Sequence, residues 1–136
     1  MKYTESTENY LETILILAER EGKVRSIDIA HELSFSKPSV SVAMKALRES
    51  DYIAIDKDGY ITLTKQGKEI AENVYERHIV IGEALVALGV SEKTAYEDSC
   101  LIEHIISDES FLKIKSHLEK HKAPSSRSGD IDVVLL

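Results

Sequence analysis

Three side chains able to bind a metal stand within five positions, in the stretch Cys100-Leu101-Ile102-Glu103-His104. On a helix, residues three and four apart lie on one face, one turn above the other. The Cys100 thiolate, the Glu103 carboxylate and the His104 imidazole would then point the same way, with Leu101 and Ile102 directed elsewhere. This set mixes soft, borderline and hard donors, which suits a divalent transition metal. Each residue also has an ordinary structural explanation. A lone cysteine is often a small buried hydrophobe, and Glu and His are frequent neighbours on helices. The Cys–His spacing would also admit a nucleophile and its base. No oxyanion or substrate motif accompanies it, so the expectation is that the chain is not an enzyme.

The elements that must hold this stretch belong to a chain of 136 residues, 43% hydrophobic and 30% charged. That is one domain, or two small lobes sharing a long helix. No apolar run approaches the ~20 residues that span a membrane. The start, Met1-Lys2-Tyr3-Thr4-Glu5, lacks the basic-then-apolar pattern of a secretory signal. The single cysteine fits a reducing compartment. The expectation is a cytoplasmic protein with no membrane partner and no small-molecule substrate. The net charge of −7 is unevenly spread. Gly22–Lys68 carries eight Lys/Arg against six Asp/Glu, and the remaining positions nine against eighteen. Within the basic part, Ser34–Arg48 holds Lys37, Lys45 and Arg48 and no acid. Such a run is either a solvated helix face or a surface that meets phosphates.

The periodicity predicts a first helix over Glu5–Glu21, capped by Ser6 or Thr7, with Tyr10, Leu11, Ile14, Leu15, Leu17 and Ala18 as its apolar stripe and Gly22 as its stop. Ser26 is expected to cap a short helix, Ile27–Leu33. After the turn Ser34-Phe35-Ser36, Ser36 caps a third helix with Pro38 in its first turn. Val40, Ala43, Met44 and Leu47 form the buried stripe of that helix, leaving Ser39, Ser41, Val42 and Lys45 on the other side. A helix, a short turn and a helix is the arrangement that places its second helix in a DNA major groove. Two β-like runs, Tyr52–Ile55 and Tyr60–Leu63, flank Asp56-Lys57-Asp58-Gly59, a strong hairpin signal. A hairpin in this place reads as the wing of a winged helix, with Lys57 at its tip near a phosphate. Thr64 then caps a long helix from Lys65 to Leu88 with Ile70, Val74, His78, Ile81 and Leu85 in one stripe. A helix capped by Ser91 follows, running to about Ile106 and carrying the opening stretch. The last helix is Glu109–His121, with Phe111, Leu112, Ile114 and Leu118 apolar. The expected class is mostly α with a small β-hairpin wing: an N-terminal winged helix-turn-helix, then an all-α domain, which the family resemblance given next implies is for dimerisation and metal binding. The expected limits are 1–68, 69–122 and a flexible or swapped tail, 123–136.

In this order of elements the chain resembles the diphtheria-toxin-repressor family of metal-dependent transcriptional repressors, in its short form with the manganese-transport regulators. The residues that carry the likeness are Thr7-Glu8-Asn9-Tyr10-Leu11, Ser36-Lys37-Pro38-Ser39-Val40-Ser41, Leu63-Thr64-Lys65-Gln66-Gly67, Glu76-Arg77-His78, and Cys100 to His104 followed by Ser107-Asp108. The resemblance implies a homodimer that binds palindromic double-stranded operator DNA of metal-uptake genes, with Mn(II) or Fe(II) as co-repressor. It places metal ligands at Asn9, Glu12, His78, Cys100, Glu103 and His104. Asn9 and Glu12 are three apart on the first helix, so they share a face. The expected DNA-contacting residues are Ser36, Lys37, Pro38, Ser39, Ser41 and Lys45 in or beside the groove, with Thr7, Arg48 and Lys57 as candidates for phosphate contacts. Asn9 and Glu12 are expected to tie the first helix to the dimerisation lobe. That sets two winged helices at successive major grooves, ~34–36 Å apart.

The chain departs from the family pattern at several positions. Position 9 is Asn, where manganese regulators have Asp and iron regulators Met. Glu12 is manganese-like and Cys100 iron-like. Tyr96 stands where iron regulators place a histidine of a second metal site, and Glu83 lies one position out of register with an acidic ligand. Val42 replaces a polar groove-facing residue, and an SH3-like third domain is expected to be missing. The alternative is a winged-helix regulator without metal sensing, in which Cys100–His104 is core. A non-DNA interaction module is a further reading.

Overall fold

The computed structural model describes residues 4–121, so the expected tail, 123–136, lies outside the described residues. The elements are α1 (Glu5–Glu21), α2 (Ser26–Leu33), α3 (Lys37–Glu49), β1 (Ile53–Ile55), β2 (Ile61–Leu63), α4 (Lys65–Ala87), α5 (Glu92–Ile102) and α6 (Asp108–Lys120). This is the expected mostly helical chain with one antiparallel hairpin. The chain divides into two compact units after Asn73, within α4. No described helix is long and apolar enough to cross a membrane.

In the first unit, α1 starts at Glu5, so its cap is Thr4 and not Ser6 or Thr7. The Thr4 hydroxyl accepts from the Thr7 N–H at 3.1 Å. Every residue from Tyr10 to Leu17 is buried, including Glu12 and Thr13. A helix buried on all sides is a core helix, which is more than the expected stripe. For α2, Arg25 is the N-cap and Ser26 the first helical residue, because the Arg25 N–H is taken by the Asp28 carboxylate at 2.9 Å. Ser34 adopts a left-handed conformation (φ 57°) and turns the chain. Ser36 restarts it as α3, its hydroxyl accepting from the Ser39 N–H at 3.3 Å. Val40, Met44 and Leu47 bury the inner face of α3, while Ala43 is only half-buried. Fully burying one such large side chain contributes about 1.5–3 kcal/mol.

The hairpin pairs Ile53 with Leu63 and Ile55 with Ile61, one residue shorter at the start of each strand than expected. The Asp56 carboxylate accepts from the N–H groups of Asp58 and Tyr60, both at 2.9 Å, and Gly59 takes the positive φ (86°) that closes the turn. The segment before α2 joins the sheet through a single bridge, Ile61 N–H donating to Val24 O at 2.7 Å. Thr64 then caps α4, accepting from Gly67 N–H at 3.1 Å while its hydroxyl donates to the Asp51 carbonyl.

In the second unit, α5 is capped by Ser91 and ends at Ile102, not near Ile106. Residues 103–105 form a turn in which the N–H groups of Ile105 and Ile106 both donate to the Ile102 carbonyl at 3.0 Å. Ser107 caps α6, accepting from Ser110 N–H at 3.1 Å. Phe111 is buried, but Leu112, expected on the apolar stripe, is 58% exposed. Leu88, Leu101 and Ile105 are also exposed.

Candidate metal centre and nucleic-acid interface

The helices of the second unit place the opening stretch against His78. Ser99 is fully buried, and its hydroxyl donates to the His78 carbonyl at 2.5 Å, joining α5 to α4 one residue before Cys100. His78 Nδ1 lies 3.7 Å from Cys100 Sγ and 3.5 Å from Glu103 Oε2. The ligand atoms of His78, Cys100 and Glu103 all fall within 4.8 Å of one another, and this is the cluster of three that the described residues form. His78 and Glu103 are buried and Cys100 is half-buried. His104 lies in the turn rather than on the helix, with Nε2 3.6 Å from Glu103 Oε1. It therefore adjoins the cluster through the second oxygen of Glu103.

These separations fit a shared ion. Two donors held ~2.0–2.3 Å from one metal at tetrahedral angles stand about 3.5 Å apart. A neutral imidazole, a thiolate and a carboxylate are also the donor types that a divalent transition ion takes. The position of His78 Nδ1 makes it the nitrogen that faces the other two donors. Two rings flank the imidazole: Tyr75 stacked at 6.5 Å and Tyr96 tilted at 5.5 Å. Tyr96 is buried and seats against Gly82, where a Cβ would meet its ring carbons Cδ1 at 2.5 Å and Cζ at 2.8 Å. Neither Gly82 nor the packing role of Tyr96 was evident in the sequence.

Asn9 and Glu12 lie on α1 in the first unit. Glu12 is 1% exposed and Asn9 half-buried, with the Asn9 carbonyl accepting from the Thr13 hydroxyl at 2.7 Å. Glu83 lies on α4, half-buried.

The candidate DNA-facing residues all belong to the first unit. Lys37, Pro38, Ser39, Ser41, Lys45 and Arg48 are exposed along α3, with Ser36 exposed at its cap. Val42 stands among them, 71% exposed. Ser36 Oγ donates to Ser39 Oγ at 2.8 Å, so those two hydroxyls begin the helix as a pair. Lys57 is exposed in the hairpin turn. Thr7 is half-buried, its hydroxyl accepting from the Thr4 hydroxyl at 2.8 Å. Two cations escaped the sequence reading. Lys23 Nζ and the Arg25 guanidinium lie 4.6 and 4.3 Å from the Tyr60 ring centroid, beside the wing. Their alternation about buried Val24 is the strand signal that would have found them.

The sequence matches the iron-dependent repressor N-terminal DNA-binding domain over residues 2–66, and the metal-binding and dimerisation domain of the same family over residues 64–126. An uncharacterized HTH-type transcriptional regulator of Methanocaldococcus jannaschii is 35% identical over 121 residues, covering 88% of this chain and 97% of that protein. The transcriptional regulator MntR of Bacillus subtilis is 31% identical, covering 94% of this chain and 90% of its own length. The solved manganese regulator SloR is 31% identical with a TM-score of 0.73 over 88% of this chain, and this chain spans 55% of that one. A manganese-dependent transcriptional repressor solved with manganese has a TM-score of 0.77 at 25% identity, over 83% of this chain and 52% of its own. The chain belongs to the iron-dependent, or diphtheria-toxin, repressor family, whose members are transcriptional regulators rather than enzymes.

Proposed function

We propose that the chain is a cytoplasmic repressor that binds palindromic operator DNA of metal-uptake genes as a homodimer when loaded with Mn(II) or Fe(II). The observation that carries this reading is the convergence of His78 Nδ1, Cys100 Sγ and the Glu103 carboxylate in the second unit of a chain that presents a winged helix in its first. His78, Cys100 and Glu103 would hold the ion. His104, Glu12 and Asn9 are the further ligands that the family likeness supports. A bound divalent ion supplies the positive charge that offsets a buried carboxylate and a thiolate gathered in one place.

The chain's own residues do the rest. Ser99 fixes α5 on α4, so Cys100 and His78 keep their separation. Glu103 reaches His78 with one oxygen and His104 with the other, linking both imidazoles through one carboxylate. In the first unit, Ser36 and Pro38 start α3 so that Lys37, Ser41 and Lys45 stay exposed to a major groove. Lys57 on the wing supplies a charge for a neighbouring phosphate. We place the working boundaries at 1–68 for the DNA-binding part and 69–122 for the dimerisation and metal-binding part.

The test is operator binding titrated with Mn(II), Fe(II), Co(II) and Zn(II) under reducing conditions. Binding that rises with metal and is lost in Cys100→Ala is the expected result. DNA binding that is indifferent to every metal, with Cys100→Ala and His104→Ala behaving as wild type, would refute metal sensing and leave a plain winged-helix regulator.

A further inference from the structure

Arg77 directly precedes His78 on α4, and its guanidinium makes three contacts with the segment after Glu103. It donates to the Ile106 carbonyl at 2.9 Å, pairs with the Asp108 carboxylate, and lies over the Phe111 ring, 5.5 Å from the centroid. Its side chain is only 20% exposed. Ile106 closes the turn that carries Glu103 and His104, and Asp108 and Phe111 open α6. One residue of α4 therefore reaches α5's outgoing turn while its neighbour, His78, faces Cys100 and Glu103. A planar guanidinium offers separate N–H edges to a carbonyl and a carboxylate while its face lies on an aromatic ring, a fixed fork that the point charge of an ammonium does not reproduce.

We propose that Arg77 is a positioning residue that holds the Glu103–Ser107 turn against α4 and thereby sets the affinity of the metal centre without touching the ion. The inference rests on the metal reading above. Removing Arg77 leaves all proposed ligands in place but frees the turn, so Glu103 and His104 no longer keep a fixed distance from His78. Groups hydrogen-bonded directly to a metal ligand change metal affinity by about 10–100-fold, and Arg77, which acts through the turn, is expected at the lower end of that range.

The experiment compares the full chain with Arg77→Gln, Arg77→Lys and Asp108→Asn by two readouts. The first is amide exchange of Ile105 and Ile106 in the metal-free protein, since both N–H groups close this turn. The second is Mn(II) affinity by competition with a chelator. Arg77→Gln is expected to speed exchange at both amides and weaken Mn(II) about tenfold, with exchange at Val40 and Leu47 unchanged. Arg77→Lys should fall between, and Asp108→Asn should show a smaller effect because the Ile106 contact survives. Wild-type exchange and wild-type affinity in Arg77→Gln would overturn the anchor while leaving the metal reading intact. A wild-type chain that binds neither Mn(II) nor Fe(II) refutes the metal reading, and with it the claim on affinity; a chain that takes Fe(II) alone is compared with its variants by Fe(II) affinity instead. If Arg77→Gln does not fold, Arg77→Lys decides: faster exchange with weaker Mn(II) supports the anchor, and no change in either overturns it.

Discussion

Gly82→Ala places a methyl group where the Tyr96 ring now lies. The new Cβ would meet Cδ1 at 2.5 Å and Cζ at 2.8 Å, against the 3.4–4 Å of ordinary contact. Cε1 lies nearer still, so the ring edge must retreat by roughly 1.5 Å to restore carbon–carbon separation. It is buried and packs against the His78 imidazole at 5.5 Å, so it has little room to move without disturbing that ring. Overpacking of this kind costs about 1–3 kcal/mol. Against this, alanine is favoured over glycine inside a helix by about 1 kcal/mol. The net expectation is a loss of roughly 0–2 kcal/mol, together with weaker metal binding as His78 shifts. Urea denaturation of the metal-free protein reads the first effect and chelator competition the second. Gly82→Ala combined with Tyr96→Leu should recover metal affinity relative to Gly82→Ala alone, because the smaller side chain vacates the contested space. A single Gly82→Ala variant that gains about 1 kcal/mol, as helix propensity alone dictates, and keeps wild-type affinity would refute the packing argument.

Other expectations can be checked alongside. His78→Gln and Cys100→Ala should each weaken Mn(II) binding by at least about 100-fold, beyond what an outer partner contributes, as measured by equilibrium competition. Lys57→Ala should weaken operator and random DNA to a similar degree and lower the slope of log affinity against log salt by about 1. The Glu76 carboxylate, hydrogen-bonded to Lys115 at 2.6 Å, holds the Lys115 ammonium above its ordinary range. Its stabilising contribution is fully present below the unfolded lysine value of about 10.4 and is lost as pH rises through the higher folded value. The pair is substantially exposed, so Lys115→Met should cost no more than about 0.5 kcal/mol at pH 7 by thermal denaturation.

The winged helix was legible because its signals are local. Ser36 followed by Pro38 admits little besides a helix start, and Asp58-Gly59 between alternating apolar residues admits little besides a hairpin. The stretch from Cys100 to His104 was legible as a donor set for a similar reason, since spacing alone brings Cys100 and Glu103 together. The end of α5 was not. Leu101, Ile102, Ile105 and Ile106 continue an apolar pattern that suggests more helix, yet Leu101 and Ile105 are exposed, and the cap at Ser107 requires the chain to leave the helix first. Burial of Glu12 and Thr13 was hidden too, because a helix enclosed on every side shows no polar face to read. The seating of Tyr96 on Gly82 and the reach of Arg77 to Ile106 are tertiary contacts between separate helices, with no periodicity to betray them.

Leu88, Leu101, Ile105 and Leu112 all project from the second unit into solvent in a single chain. The dimerisation domain of the family covers this unit, and where two copies associate, part of the folding free energy resides in association. Each tenfold dilution removes about 1.4 kcal/mol from that part. Melting temperature should therefore track protein concentration. Copy number in the cell then becomes an input to the regulator alongside the metal, with sparse chains less stable than abundant ones at the same metal level.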